Sequence, residues 1–188
     1  NATAAFLSQQ SPNSTAYVIG EAGLTTALHT AGYVMTDQDP EYVVLGETRF
    51  YDFYALTTAI RLIERGAKFI ATNPDVSGPS DEGTLPAAGS IAAMIQAATG
   101  KAPYFVGKPN PVMIRAGLNK IGAHSEQAAM VGDRMDTDVR AGVEAGMRTF
   151  LVLSGSTHSE DVANFPYRPY RIYNGIGDLI RYVQPASN

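Results

Sequence analysis

The sequence predicts an α/β protein in which the strands of a parallel sheet alternate with helices. Short apolar runs, such as residues 42–45 and 149–153, have the length and composition of buried strands. Amphipathic stretches that stop at a glycine separate these runs, as in residues 52–66, where apolar side chains recur at helical spacing. This alternation is typical of a parallel sheet covered by helices on both faces.

The first half of the chain contains three predicted strands and the helices between them. The strands are residues 17–20, 41–46 and 68–72, the helices end at Gly32 and Gly66, and Asp52 can cap the second helix. Residues 73–86 are rich in Gly, Pro, Ser and Asp, and we predict a long loop there.

The second half repeats the alternation. The predicted helices are residues 90–98, 112–120 and 138–145, and the predicted strands are residues 104–106, 128–131 and 149–153. Pro111 is well placed in the first turn of its helix, and Gly100 and Gly146 stop the flanking helices.

Composition excludes several classes of function. The 188 residues carry a net charge of −4, which does not suggest nucleic-acid binding. The absence of cysteine excludes disulfides, Cys-ligated zinc and thiol catalysis. No apolar run is long enough to span a membrane. We therefore expect a cytoplasmic protein without nucleic-acid or membrane partners.

Two carboxylates follow the predicted strand at residues 128–131. Asp133 comes directly after Gly132, and Asp138 stands at the start of the next predicted helix. Sites in open α/β sheets form at the carboxyl ends of strands, and a carboxylate there suits a hard cation such as Mg²⁺. The alternative is that Asp133 is a turn residue and that Asp138 only complements the helix dipole.

A lysine follows another apolar strand. Lys108 lies between residues 104–106 and the helix that begins near Pro111, where phosphate oxygens are favoured. Its ammonium can neutralise a phosphate or a carboxylate. By itself the pattern is weak, because most lysines beside a proline are solvated surface residues.

Three segments together resemble a known family. VGKPNP (106–111) and VGD followed by TD (131–133, 137–138) are similar to the third and fourth motifs of the haloacid dehalogenase (HAD) superfamily. Within that superfamily, these segments most resemble the NagD-like phosphatases. FIATNPD (69–75) resembles the substrate-facing strand and loop of the large cap domain in that branch. The resemblance runs from about Thr15 to the end of the chain.

The resemblance implies a domain plan. Residues 1–15 would end an N-terminal core segment, residues 16–103 would form an inserted α/β cap, and residues 104–188 would form the C-terminal half of a Rossmann-like core. Caps of this type can also mediate a homodimer.

The resemblance also implies a mechanism and a set of roles. An aspartate would attack the phosphorus of a small phosphorylated metabolite, and Mg²⁺ would clamp the phosphate. Asp133 would ligate the metal, Lys108 would stabilise the phosphate charge, and Asp138 would support either the water shell of the metal or Lys108. Substrate contacts would come from Lys108 and from Asn73, Asp75 and Arg134.

The nucleophile itself has no candidate in the sequence. The family places it in an Asp-x-Asp string after the first strand, but the two such strings here, residues 37–39 and 136–138, do not fit. We therefore expect the nucleophile to lie outside these residues and the 188-residue chain to be inactive alone.

Two other classes of function stay open. One is a non-catalytic α/β binding or regulatory module derived from such a phosphatase. The other is a dinucleotide-binding protein, which ranks low because no Gly-x-Gly-x-x-Gly follows a strand. The sequence does not name the substrate, which could be a nucleotide monophosphate, a sugar phosphate or a similar ester.

Overall fold

The computed structural model describes residues 2–180 and divides into two compact units, Asn1–Gly107 and Lys108–Asn188. The sequence placed the boundary four residues earlier, between 103 and 104, and it separated residues 1–15 from the rest. Residues 181–188 of the predicted core half lie outside the described residues. The identification of the two units as cap and half-core stays a prediction.

The first unit contains a five-stranded, all-parallel sheet. Its strands are β1 (Thr15–Ile19), β2 (Val34–Met35), β3 (Tyr42–Leu45), β4 (Lys68–Ala71) and β7 (Tyr104–Phe105). Across the sheet they lie in the order β2-β1-β3-β4-β7. All four residues of β3 are buried, as the continuous apolar run predicts for a central parallel strand.

Between residues 2 and 107, four helices belong to this unit. They are α1 (Ala2–Gln10), α2 (Ala22–Thr30), α3 (Phe53–Glu64) and α4 (Ala88–Thr99). The predicted cap of α3 is confirmed, because the Asp52 side chain accepts a hydrogen bond from the backbone N–H of Ala55 at 2.8 Å. Gly100 ends α4 in the left-handed conformation that favours glycine.

The segment at residues 73–86 is more ordered than the predicted loop. It contains an antiparallel hairpin of β5 (Ser77–Ser80) and β6 (Gly83–Pro86). The prediction of a long loop was therefore wrong for most of its length. Glycines and prolines are depleted in strands, so the composition hid a hairpin whose pairing depends on backbone hydrogen bonds.

Helix α1 is tied to the sheet of the first unit. Tyr33 is 1% exposed, and its hydroxyl donates to the backbone carbonyls of Leu7, at 2.8 Å, and Ser11. Burial is the main cause that raises the pKa of Tyr33 to about 12. The ring of Phe6 stacks on that of Tyr104 with centroids 5.0 Å apart. These contacts join the N-terminal segment to the residue before β2 and to β7.

The second unit contains a three-stranded parallel sheet in the order β10-β9-β8. Its strands are β8 (Ala129–Gly132), β9 (Arg148–Val152) and β10 (Arg171–Tyr173), and its α-helices are α5 (Pro111–Ile121) and α6 (Arg140–Glu144). Pro111 occupies the first turn of α5, as predicted, behind an Asn110 cap. The core contains Leu151, which is fully buried.

Candidate active site

The site begins at the carboxyl end of β8, where two predicted residues meet. The carboxylate of Asp138 folds back onto the strand end, and its Oδ2 accepts hydrogen bonds from the backbone N–H groups of Asp133, at 3.1 Å, and Arg134, at 3.2 Å. Asp138 is only 3% exposed. A buried carboxylate needs such partners, because burial without them would cost several kcal/mol.

Lys108 completes this arrangement. Its ammonium contacts Oδ1 of Asp138 and forms a salt bridge there, while its side chain remains 39% exposed. Residues 30 positions apart in the chain therefore meet, as the two motifs imply. Both oxygens of Asp138 are engaged by protein groups. The geometry accordingly favours the expectation that Asp138 supports Lys108 over the expectation that it supports metal-bound water.

Gly132 makes room for the buried carboxylate. A Cβ at this position would stand 2.2 Å from Cγ of Asp138 and 2.3 Å from its Oδ2. Any side chain here would displace Asp138 and, with it, the partner of Lys108. The Gly-Asp sequence at the strand end is therefore required by a close approach, which is a common use of glycine.

A π-helical turn at Met135–Val139 positions Asp138. The backbone N–H groups of Asp138 and Val139 both donate to the carbonyl of Arg134 at 3.1 Å. Sequence periodicity predicted a regular helix from residue 138, but the helical segment begins three residues earlier, as this turn, and α6 starts only at Arg140. Single π turns occur frequently at functional sites.

Asp133 points to a different partner. Its Oδ2 accepts a hydrogen bond from the backbone N–H of Ser156 at 2.7 Å, in the segment after β9. Within residues 2–180, no hydrogen bond is found to its other oxygen, Oδ1. That oxygen is the group in this cluster that could bind a cation.

Arg134, predicted to contact substrate, forms a two-point pair with Asp136. Its Nε and one terminal nitrogen donate to the two Asp136 oxygens at 3.1 and 2.9 Å. The hydrogen bonds from Arg134 are the main cause that lowers the pKa of Asp136. Arg134 thus presents its guanidinium in an orientation fixed by a partly exposed carboxylate.

Asn73 and Asp75 lie in the first unit, just after β4. The Asn73 amide nitrogen donates to Asp75 Oδ2 at 3.1 Å, and the hydroxyl of Thr72 donates to Asn73 Oδ1 at 2.8 Å. The two residues therefore form one polar group at the carboxyl end of the sheet, as the resemblance implies for a substrate-facing loop. Their role stays a prediction.

The same unit contains a cavity of about 530 Å³. Polar side chains after β1 and β3 line one wall and the β5–β6 hairpin lines the other, with the lining formed by Glu21, Glu47, Thr48, Arg49, Tyr51, Gly78, Pro79, Leu85, Pro86 and Ala87. Glu47 is fixed there, because its Oε2 accepts from the backbone N–H of Ala88 at 3.1 Å. The sequence pattern alone does not indicate a role for these residues.

The donor set fits Mg²⁺ only in part. Asp133 offers a hard carboxylate oxygen at a strand end, which suits the ion. In the described part of the chain, however, no group of three or more Asp, Glu, His or Cys residues could hold a metal. Mg²⁺ commonly uses one or two carboxylates together with substrate phosphate and water, so one carboxylate from this chain matches a shared site.

The two Asp-x-Asp strings occupy positions unlike a nucleophile. Asp39 lies in the segment between β2 and β3, is almost fully exposed and pairs with Arg65 at 3.6 Å. Asp136 and Asp138 lie in the π turn and are engaged by Arg134 and Lys108.

In residues 2–180, no helix is long and apolar enough to cross a lipid bilayer.

Comparison with known proteins gives consistent matches. The HAD-hydrolase-like family model matches residues 105–179. The dihydroxyacetone phosphatase of Corynebacterium glutamicum is 62% identical over 178 residues, covering 95% of this chain and 65% of that protein. The ribonucleotide monophosphatase NagD of Escherichia coli is 44% identical over 178 residues, covering 95% of this chain and 70% of that protein.

A solved structure gives the same picture. The 4-nitrophenylphosphatase of Thermotoga maritima matches with a TM-score of 0.91 and 36% identity, over 97% of this chain and 70% of that one. The chain therefore spans about two thirds of the length of these relatives. Together with the Lys108, Asp133 and Asp138 arrangement, these matches show that the chain belongs to the HAD superfamily of hydrolases, in its NagD-like branch.

Proposed function

We propose that the protein containing this chain is a Mg²⁺-dependent phosphatase that hydrolyses small phosphomonoesters. The observation that carries the proposal is the network at the end of β8, in which Lys108 is held by the buried Asp138 beside Asp133. Relatives at 62% and 44% identity are named as phosphatases, which supports the same class of reaction.

The attacking group in this proposal is an aspartate outside these 188 residues. Its attack on the phosphorus would break the ester P–O bond, release the alcohol with a proton and leave an aspartyl phosphate. Water would then hydrolyse this intermediate to inorganic phosphate and the free carboxylate. Mg²⁺, when bound, supplies positive charge to the phosphate oxygens. Asp133 would hold the ion through Oδ1, and the ammonium of Lys108 would stabilise the charge that develops on the phosphoryl group. Asp138 would hold Lys108 in place without touching substrate.

For substrate choice we propose the polar group after β4 and the guanidinium of Arg134. A dihydroxyacetone phosphatase and a ribonucleotide monophosphatase among the relatives support a small hydroxylated ester. Substitution of Asn73 or Asp75 should reorder the ranking of substrates, while turnover of a small aryl phosphate survives. Equal loss on every substrate would contradict a role confined to selection.

The test of the proposal is Asp133→Asn in the complete enzyme. Phosphate release should fall by at least 10²-fold at limiting Mg²⁺, while the thermal unfolding midpoint changes little, because a neutral amide is a poor ligand for a hard cation. Asp161→Asn is the matched control, since Asp161 is an acidic residue of the same unit and lies in the first turn of the short helix Ser159–Asn164. Unchanged activity of the Asp133→Asn variant would show that Asp133 does not bind the metal.

The same assay examines the non-catalytic alternative. A complete protein that folds and binds Mg²⁺ but releases no phosphate from any ester would favour a binding or regulatory module. The 188-residue chain by itself should show no turnover, because Lys108 and Asp133 cannot form an aspartyl phosphate without an attacking carboxylate.

A further inference from the structure

The segment that follows β9 donates two backbone hydrogen bonds to Asp133. In the structure the N–H of Ser156 donates to Asp133 Oδ2 at 2.7 Å, and the N–H of Thr157 donates to the Asp133 carbonyl at 3.1 Å. Both the side chain and the main chain of Asp133 are therefore fixed by neighbouring residues of one segment.

Thr157 also accepts a hydrogen bond through its side chain. Its hydroxyl oxygen accepts a hydrogen bond from the backbone N–H of Met135 at 3.2 Å, and the residue is 8% exposed. Thr157 thus bridges the residues on both sides of Arg134, at the turn between β8 and the π-helical segment. A buried bridge of this kind restricts the backbone from which Asp133 projects.

Gly155 shows how closely this segment approaches the carboxylate. A Cβ at Gly155 would stand 2.1 Å from Asp133 Oδ2 and 2.5 Å from its Cγ. Any other residue would force the carboxylate to turn. The Ser156 N–H and the missing side chain of Gly155 together fix the position of Oδ2, and Oδ1 has no hydrogen bond from residues 2–180.

We propose that Thr157 is a positioning residue for the metal site: its hydroxyl and N–H fix the Asp133 turn so that Asp133 presents Oδ1 to Mg²⁺. The inference rests on the proposed function, because it assumes that Asp133 binds the ion. Partners behind a metal ligand orient it, and their loss commonly lowers metal affinity by roughly 10–100-fold.

The experiment compares Thr157→Val and Thr157→Ser in the complete enzyme. Thr157→Val keeps the shape and the N–H but removes the hydroxyl acceptor, so the Mg²⁺ dissociation constant measured by calorimetry should rise about 10-fold. Thr157→Ser retains the hydroxyl, so its Mg²⁺ dissociation constant should stay within about threefold of wild type. The Mg²⁺ concentration that gives half-maximal turnover should rise by the same factor, while turnover at saturating Mg²⁺ should change little.

Thr149→Val is the matched control. Thr149 is 2% exposed in the same unit, and its hydroxyl oxygen accepts from the backbone N–H of Tyr170 at 3.2 Å. Both valine variants should lower the unfolding midpoint, but only Thr157→Val should weaken Mg²⁺ binding.

Equal Mg²⁺ affinity in the two valine variants would overturn the inference and leave the proposed function intact. A wild-type enzyme that neither binds Mg²⁺ nor releases phosphate would instead defeat the proposed function.

Discussion

The two units contain the same short pattern at strand ends and use it differently. In the first unit, β1 and β3 are followed by Gly20 and Gly46, each before a glutamate; in the second, β8 ends at Gly132 before Asp133. A Cβ at Gly46 would meet Cδ2 of Leu24 at 2.6 Å, whereas a Cβ at Gly132 would meet the carboxylate of Asp138.

The side chain that fills the space over the glycine therefore decides what the pattern does. An apolar leucine makes the strand end part of the hydrophobic packing, and the following glutamates turn to a cavity wall. A buried carboxylate makes the strand end an anchor for a lysine. A glycine and an acidic residue after a strand are thus insufficient evidence of an active site. The residue that packs over the glycine, Leu24 or Asp138, decides the outcome, and it lies elsewhere in the sequence.

The largest effect on activity should come from Lys108, which pairs with Asp138 in the second unit. Lys108→Ala in the complete enzyme should reduce kcat by about 10²–10³-fold, the loss typical when a group that stabilises transition-state charge is removed. Lys120→Ala, in the last turn of α5, is the control and should leave kcat unchanged. A rise in KM with constant kcat would show that Lys108 contributes only to ground-state binding.

Gly132→Ala should break the arrangement without removing any functional group. The added methyl would displace the Asp138 carboxylate, and we expect a loss of about 1–3 kcal/mol in the free energy of unfolding. Chemical denaturation of the complete enzyme measures this loss, and turnover should fall with it. Full stability together with full activity would mean that the Asp138 contact is unimportant.

Gly46→Ala tests the other half of the comparison and should cost less, about 1 kcal/mol or below. The obstacle is the end of a flexible leucine side chain, which can turn away. In a Leu24→Ala background the same substitution should cost less still, and a denaturation cycle of the four proteins measures the coupling. Additive effects would show that Leu24 does not fill the space over Gly46.

The smallest effect should come from Glu41, a carboxylate of the first unit that contributes to stability. A hydrogen bond from Lys68 at 2.7 Å, followed by those from Ser14 and Ser11, lowers the pKa of Glu41 from 4.5 to about 2. A lowered pKa in the folded state stabilises the protein above the unfolded value, and that contribution is lost as pH falls.

Glu41→Gln should therefore destabilise by a few tenths of a kcal/mol at pH 7, since the pair is partly exposed. The difference from wild type should shrink between about pH 4.5 and pH 2. Thermal unfolding across this range measures it, and a difference that stays constant with pH would assign the effect to packing.

Much of this architecture could be predicted from local pattern. Continuous apolar runs located β3, β4, β8 and β9, and glycines and an Asp52 cap located helix ends, because these signals are encoded within a few residues. The hairpin in residues 73–86 was missed, since the pairing of β5 with β6 depends on backbone groups and not on its residue types.

The site divides in the same way. Lys108, Asp133 and Asp138 could be selected because they follow strands and match motifs. Thr157 could not, because its contribution arises from the parallel pairing of β8 with β9, which brings a second loop beside the first. A hydroxyl residue just after the neighbouring strand was the available signal, and only spatial proximity gave it meaning.

The ties between α1 and Tyr33 have a practical consequence for anyone expressing the first unit separately. A recombinant version that started at Thr15 would remove both carbonyls to which the Tyr33 hydroxyl donates, as well as the ring that stacks on Tyr104. A buried hydroxyl without a partner costs about 1–3 kcal/mol. Such a fragment should therefore include the whole of α1 and start no later than Ala2, although the resemblance to the family begins only at about Thr15.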